Sequence, residues 1–348
     1  MFKRRTITRL MAALSLAPAA AVAQGQAPLS RIALGSCAKQ TMPQPIWDAV
    51  LAWHPELFVF MGDNVYGDFN SADATGLREA YAATRQIAGY QKLRETVPHV
   101  AIWDDHDYGS NDGGANFAHK AVSKSLFLDF WKAAATDVRR TREGIYESRV
   151  IGPPGKRVQV ILLDVRWFRS PLRITDQRGA AGKQRYLPDS DPAKTMLGAA
   201  QWAWLAEELR KPAELRLVVS STQVLAEGHG WERWGNFPLE RQKLFDTIRE
   251  SGAKGVIFVS GDRHICALYR EQPADLYPLH EMTSSGLNMV YWAAKEPGPN
   301  RLGALYAAAN FGAIDLDWSG RKVTLALRDE DGNVQRSVTI DFATIGIG

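Results

Sequence analysis

Six short apolar, β-branched runs set the rhythm of the chain: RIALG (31–35), LFVFM (57–61), VAIW (100–103), VQVILLDV (158–165), LRLVVSS (215–221) and GVIFVSG (255–261). Runs of this kind, closed by Gly, Asp or Ser, read as strands. Between them lie stretches with helical spacing, MPQPIWDAVLAW (42–53), SKSLFLDFWKAA (123–134) and LGAAQWAWLAEELR (197–210). Alternation of the two patterns predicts α/β layering. The tail changes character, since HEMTSS (280–285), GAIDLDW (312–318), KVTLALRD (322–329) and RSVTIDF (336–342) follow one another as strands with turns such as DGN between them. Antiparallel pairing is expected there, and the whole predicts a mixed two-sheet core flanked by helices.

No repeat, low-complexity tract or long Pro/Gly linker divides the sequence, so residues 24–348 are expected to form one domain. At 348 residues, with 45% hydrophobic and 10% aromatic content, the chain can bury a sizeable core. Its formal charge of +4 is misleading: Lys3, Arg4, Arg5 and Arg9 all precede the apolar run LMAALSLAPAAAVA, and setting them aside leaves 38 basic against 38 acidic side chains. A nucleic-acid role thereby loses its electrostatic support. The basic start, the apolar run and Ala21-Val22-Ala23 fit an export signal over residues 1–23, cleaved after Ala23. The run is shorter than the roughly 20 apolar residues of a membrane span and contains Pro18. A periplasmic or secreted protein without a stable membrane anchor is expected, and Arg4-Arg5 is compatible with the twin-arginine route.

The polar chemistry collects where strands end. Ser36 and Cys37 follow the first strand, Asp63, Asn64 and Tyr66 the second, and Asp104, Asp105, His106 and Asp107 the third. Thr222 and Gln223 follow a later one, and Asp262 and His264 another. Open α/β sheets bind ligands at the carboxyl ends of their strands, so residues scattered in sequence can converge. An isolated acidic run such as WDDHD (103–107) is ordinarily a solvated turn; at the end of a buried strand it would require a positive partner. Asp, His, Tyr, Cys and amide oxygen are metal-binding groups, oxygen favouring hard cations and phenolate and thiolate suiting ferric iron. One cation or two would account for the charge.

The order of these motifs, GSC, then GD-x-x-Y, then DDHD, then Gln, then GD-x-H over residues 31–265, resembles the alkaline phosphatase D (PhoD-like) family of the metallophosphoesterase superfamily. The resemblance implies a four-layer α/β/β/α sandwich with two mixed sheets. It implies that Asp63 bridges two metals, that Tyr66 and Cys37 ligate iron and that His264 is the final metal histidine. Asp105 stands in the place of the Asn of the superfamily's GNH motif, as a ligand of the second metal. His106 resembles the phosphate-facing catalytic histidine, with Asp107 orienting its ring. Asp262 stands where many relatives have histidine, favouring Ca(2+) or another hard divalent cation beside Fe(3+), and Gln223 is a further candidate at that second site. Asn64 and Asp104 are expected behind the ligands.

The function so implied is metal-dependent hydrolysis of phosphate mono- or diesters by activated water, in a monomer acting on small phosphate esters; nucleotide or lipid diesters are admissible substrates. Its alternative is a metal-stabilised binding protein without turnover. No GxSxG serine pattern and no Walker loop is present. In the loop EGHGWERWGNF (227–237), Arg233 steering an anion and Trp234 stacking on a leaving group would suit a substrate wall, while packing explains Trp234 equally well. His229 is expected at the surface or behind the ligands, and His54, His99, His119 and His280 in structural roles. Cys37 and Cys266 are the only cysteines and could form a disulfide, leave Cys37 free to bind metal, or both remain buried thiols.

Overall fold

The computed structural model describes residues 27–348, so the expected export signal lies outside the described residues. The first half runs β1 (Arg31–Gly35), α1 (Ile46–Ala52), β2 (Leu57–Met61), α2 (Thr75–Thr84), α3 (Ala88–Thr96), β3 (His99–Ile102), α4 (Asp105–Tyr108) and α5 (Lys120–Phe130). There follow β4 (Glu147–Ile151), β5 (Val158–Leu163), the two-residue pair β6 (Arg173–Ile174) and β7 (Tyr186–Leu187), α6 (Gly198–Arg210), β8 (Leu215–Ser220), α7 (Pro238–Ser251) and β9 (Val256–Ser260). The chain closes with β10 (Cys266–Glu271), β11 (Leu279–Ser284), β12 (Arg301–Tyr306), β13 (Asn310–Asp317), β14 (Lys322–Asp329) and β15 (Val334–Asp341).

Two large sheets result. The first has the order β15-β14-β13-β1-β2-β3, with β1, β2 and β3 parallel and β13 to β15 added antiparallel. The second has the order β12-β10-β11-β9-β8-β5-β4, in which β5, β8, β9 and β11 are parallel. The predominantly apolar strands β2, β5, β8 and β9 are buried at every position, as strands covered on both faces must be.

Alternation along the second sheet sorts its side chains into two cores. Val158, Val160, Leu162, Leu217, Val219, Ile257 and Val259 join a cluster with the first sheet and with α1, α2, α3 and α5. Ile161, Leu163, Val218, Val256 and Phe258 instead pack with Trp202, Leu205 and Leu209 of α6 and Leu244, Phe245 and Ile248 of α7. The period-2 geometry of a strand thus yields helix, sheet, sheet, helix: the expected four layers.

The expected antiparallel pairing of the tail holds through β13, β14 and β15, while β11 departs from it. β11 pairs antiparallel with β10 but parallel with β9, and β12 joins the second sheet while β13 to β15 complete the first. At the end where both parallel sets finish, Ser36 and Ser285 form a bridge between the sheets. Beside it the amides of Gly286 and Leu287 donate to the Ser36 carbonyl, and those of Asn288 and Met289 to that of Cys37, at 2.9–3.3 Å. Among the described residues no helix is long and apolar enough to cross a membrane.

Candidate metal centre

Several of the candidate side chains are launched from tight turns at strand ends. Cys37 follows β1, Asp63 follows β2, and Asp262 and His264 follow β9; their φ angles of 61°, 49°, 67° and 56° lie in the left-handed region that L residues enter at a cost. Asp112 shares this conformation at 51°. Strain gathered on acid, thiol and imidazole residues in one place marks a functional site. Gly62, at φ 97°, permits a close approach, since a Cβ there would stand 2.5 Å from that of Asp104.

One set of donors is compact. The Tyr66 hydroxyl lies 3.0 Å from Asp63 Oδ2 and 3.1 Å from His264 Nε2, and Cys37 Sγ lies 3.4 Å from Asp63 Oδ2. Cys37, Asp63 and His264 offer ligand atoms within 4.8 Å of one another. Burial, then the neighbouring Asp63 carboxylate, pushes both the Cys37 thiol and the Tyr66 phenol well above their ordinary values. Added positive charge nearby would favour ionisation of both.

A second set shares Asp63. That residue groups with Asp105 and His106, Asp105 with Asp104 and Asp262, and Asp105 again with Asp112 and Glu232. Burial, then Asp63, raises the Asp105 carboxyl to about 7; burial, then Asp105 and Glu232, pushes Asp262 up as well. Asp63 itself is held below the usual range, because His106 and His264 outweigh its burial. Arg166 offsets part of the charge: it is wholly buried, donates from Nε to Asp104 Oδ1 at 2.6 Å and pairs with Glu232, whose other oxygen meets Arg169. Even so, Asp104 Oδ2 and Asp105 Oδ1 are buried without a hydrogen-bond partner. Orphaned carboxylate oxygens at the meeting point of six acids fit cations.

His106 Nδ1 lies 2.9 Å from Asp68, and its ring packs 4.3 Å from that of Tyr66. Burial disfavours its charge, but Asp105, Asp63 and Asp68 overcome this and raise it to about 11. The expectation that Asp107 orients this ring is corrected: Asp107 accepts from the Asp104 amide and from Asn64 Nδ2, both at 2.5 Å. Neighbouring residues on a helix do not face each other, so Asp107 braces the turn while Asp68 holds the imidazole. Asn64, expected behind the ligands, is that brace's other half.

Three further expectations change. Gln223 donates to Tyr269 and Thr283 and accepts from His229 Nε2 at 3.0 Å, so its amide is spent within the second sheet. Arg233 pairs with Glu227 and the His229 carbonyl, and Trp234 is core, donating to Ser220 Oγ at 2.9 Å. Trp231, Arg185, Arg263 and Tyr291 instead line a cavity of about 210 Å³ with Asp63, Asp105, His106, Asp262 and His264. Cys37 and Cys266 are both free and buried. Asp68, Asp112, Glu232, Arg185 and Trp231 were not expected; the GD at 67–68, repeating that at 62–63, was the one signal that could have shown Asp68.

Comparison with known proteins accords with this geometry. No curated protein matches in sequence. Among solved structures, PhoD superposes with a TM-score of 0.68 at 16% identity, over 90% of this chain and 69% of that one. The purple acid phosphatase PPD1 of yellow lupin gives 0.57 at 13% identity, over 92% and 55%. GAP50, described as the anchor in the inner membrane complex of Plasmodium, gives 0.59 at 12% identity, over 90% and 89%. The family model described as PhoD-like phosphatase matches residues 32–297, and the chain belongs to that family of phosphoric ester hydrolases.

Proposed function

We propose that this enzyme is exported and hydrolyses small phosphate esters at a two-cation centre. The observation that carries the reading is the position of Asp63, whose Oδ2 faces Cys37 and Tyr66 while Oδ1 accepts from the His106 amide at 3.3 Å beside Asp105. Cys37, Asp63, Tyr66 and His264 would hold Fe(3+); Asp63, Asp105 and Asp262 would hold Ca(2+) or another hard divalent cation. When bound, such cations neutralise the carboxylates and supply Lewis acidity and an acidified water. The chain's own part follows from placement. His106, held by Asp68, hydrogen-bonds a phosphoryl oxygen or protonates the leaving oxygen. Arg263, fixed by buried Glu296, and Arg185 draw the anion in.

The fold also serves in GAP50, described as an anchor, so fold alone does not separate hydrolysis from binding without turnover. Metal analysis and turnover of p-nitrophenyl phosphate on one preparation separate them. Two cations per chain, a visible charge-transfer band and chelator-sensitive turnover are expected. A colourless active enzyme would remove iron from the reading; cation loading without turnover on any phosphate ester would leave the binding protein.

A further inference from the structure

The catalytic cavity has a neighbour. A second cavity of about 260 Å³ is lined by Ile174, Thr175, Arg178, Arg185 and Tyr186, and Arg185 lines both. This second cavity belongs to the β6–β7 hairpin, an excursion between β5 and α6 that contributes nothing to either large sheet. Its composition is unusual for its size: between Pro171 and Leu187 stand Arg173, Arg178, Lys183 and Arg185 against the single acid Asp176. Ile174 keeps 77% of its surface exposed, although an apolar side chain there has nothing to gain from water.

The hairpin is also tied to the site. Arg185 Nη1 and the Tyr186 hydroxyl both donate to Asp112 Oδ2 at 2.6 Å, and the Arg185 guanidinium lies 5.3 Å from the centre of the Trp231 ring. Asp112 and Trp231 line the catalytic cavity, so the two pockets are held in fixed relation rather than lying on independent loops. A phosphoryl group bound at the acidic cluster would direct its ester substituent along Arg185 into the hairpin pocket. That pocket offers an apolar side chain, an aromatic ring and two guanidinium groups.

We infer that the hairpin pocket is a leaving-group subsite, selecting phosphate esters whose alcohol portion is bulky and carries a second anionic group. The inference rests on the phosphoesterase reading for its substrate but not for its binding chemistry. Arg178 sits on the exposed face of the hairpin, so its charge is free to meet an anion without disturbing the fold.

A nucleoside 3′,5′-bisphosphate and the matching 3′-monophosphate differ only in the distal phosphate and provide the test. The wild type should prefer the bisphosphate in kcat/KM and in binding measured by calorimetry. Arg178→Ala should reduce that preference by about tenfold, the scale of one charge-assisted contact. Ile174→Asp, at a position too exposed to matter for folding, should reduce it through repulsion. Equal treatment of the two ligands by the wild type, or a preference unchanged in both variants, would overturn the subsite. A binding preference that survives without turnover of either ester would instead uphold the subsite and overturn the hydrolase reading.

Discussion

Asp68 and His106 show how much rests on single contacts. An imidazole that hydrogen-bonds a phosphoryl group must be held at the other nitrogen, and Asp68 is the group that holds it. His106→Ala is expected to keep its cations and lose turnover by about a hundredfold or more. Asp68→Asn, which keeps the shape but weakens the hold, should lose about tenfold to a hundredfold, with kcat affected more than KM. Equal activity of Asp68→Asn and wild type would return Asp68 to the solvated surface. His280, on β11, yields a prediction about stability. Burial, then Arg270, lowers it from 6.5 to about 4, so the folded chain keeps it neutral where the unfolded chain takes up a proton. Stability from this residue is therefore complete above about pH 6.5 and falls as pH drops towards 4, by at most about 1.4 kcal/mol per pH unit. The buried acids with raised values act in the opposite sense, so the wild-type curve mixes both. Subtracting the urea-denaturation curve of His280→Gln isolates the histidine, and coincident curves would contradict the assignment.

At the scale of elements, the turns after β1, β2 and β9 trade stability for placement. His264 at φ 56° is the accessible case. In metal-free protein His264→Gly should be more stable than His264→Ala by about 1 kcal/mol, the reverse of the usual order, because only glycine relaxes in the left-handed region. Chemical denaturation of the two variants measures this directly; the ordinary order would show that the turn carries no strain. The same elements explain what could be read from sequence. β1, β2, β3 and β9 are apolar through their centres and β5 and β8 are broken only by Gln159 and Arg216, and each motif at their ends was visible because turn residues and ligands coincide. β4 (ESRVI) and β10 (CALYRE) carry mixed polarity, since β4 is an edge strand and the end of β10 reaches solvent. Glu232 and Asp112 lie outside any strand-end motif, brought in by loops whose course depends on tertiary contacts. Arg233 was misplaced, and Trp234 left open between wall and core, for a related reason: one residue of a loop faces the cavity while the next faces the core, and no periodicity distinguishes them.

For the whole molecule, the family match ends at residue 297, yet β13 lies between β1 and β14 and supplies Phe311, Ala313 and Ile314 to the shared core. A chain ended at residue 297 would leave β1 with a bare edge and the first sheet with half its strands. It is expected to aggregate or to show no cooperative thermal transition by circular dichroism, whereas a soluble, sharply melting fragment would refute this. The junction of the sheets beside Ser36 and Ser285 has a mechanical meaning as well. Asp63 and Asp105 ride on one sheet and Asp262 on the other, so any repulsion among them would work against the junction at that end, and cations held between them would relieve it. The amides that span the junction, Gly286 to Met289, should then exchange with deuterium faster after chelation, while those between β14 and β15 keep their pace. The acidic run WDDHD would then tie the firmness of this junction to the cation supply of the surroundings.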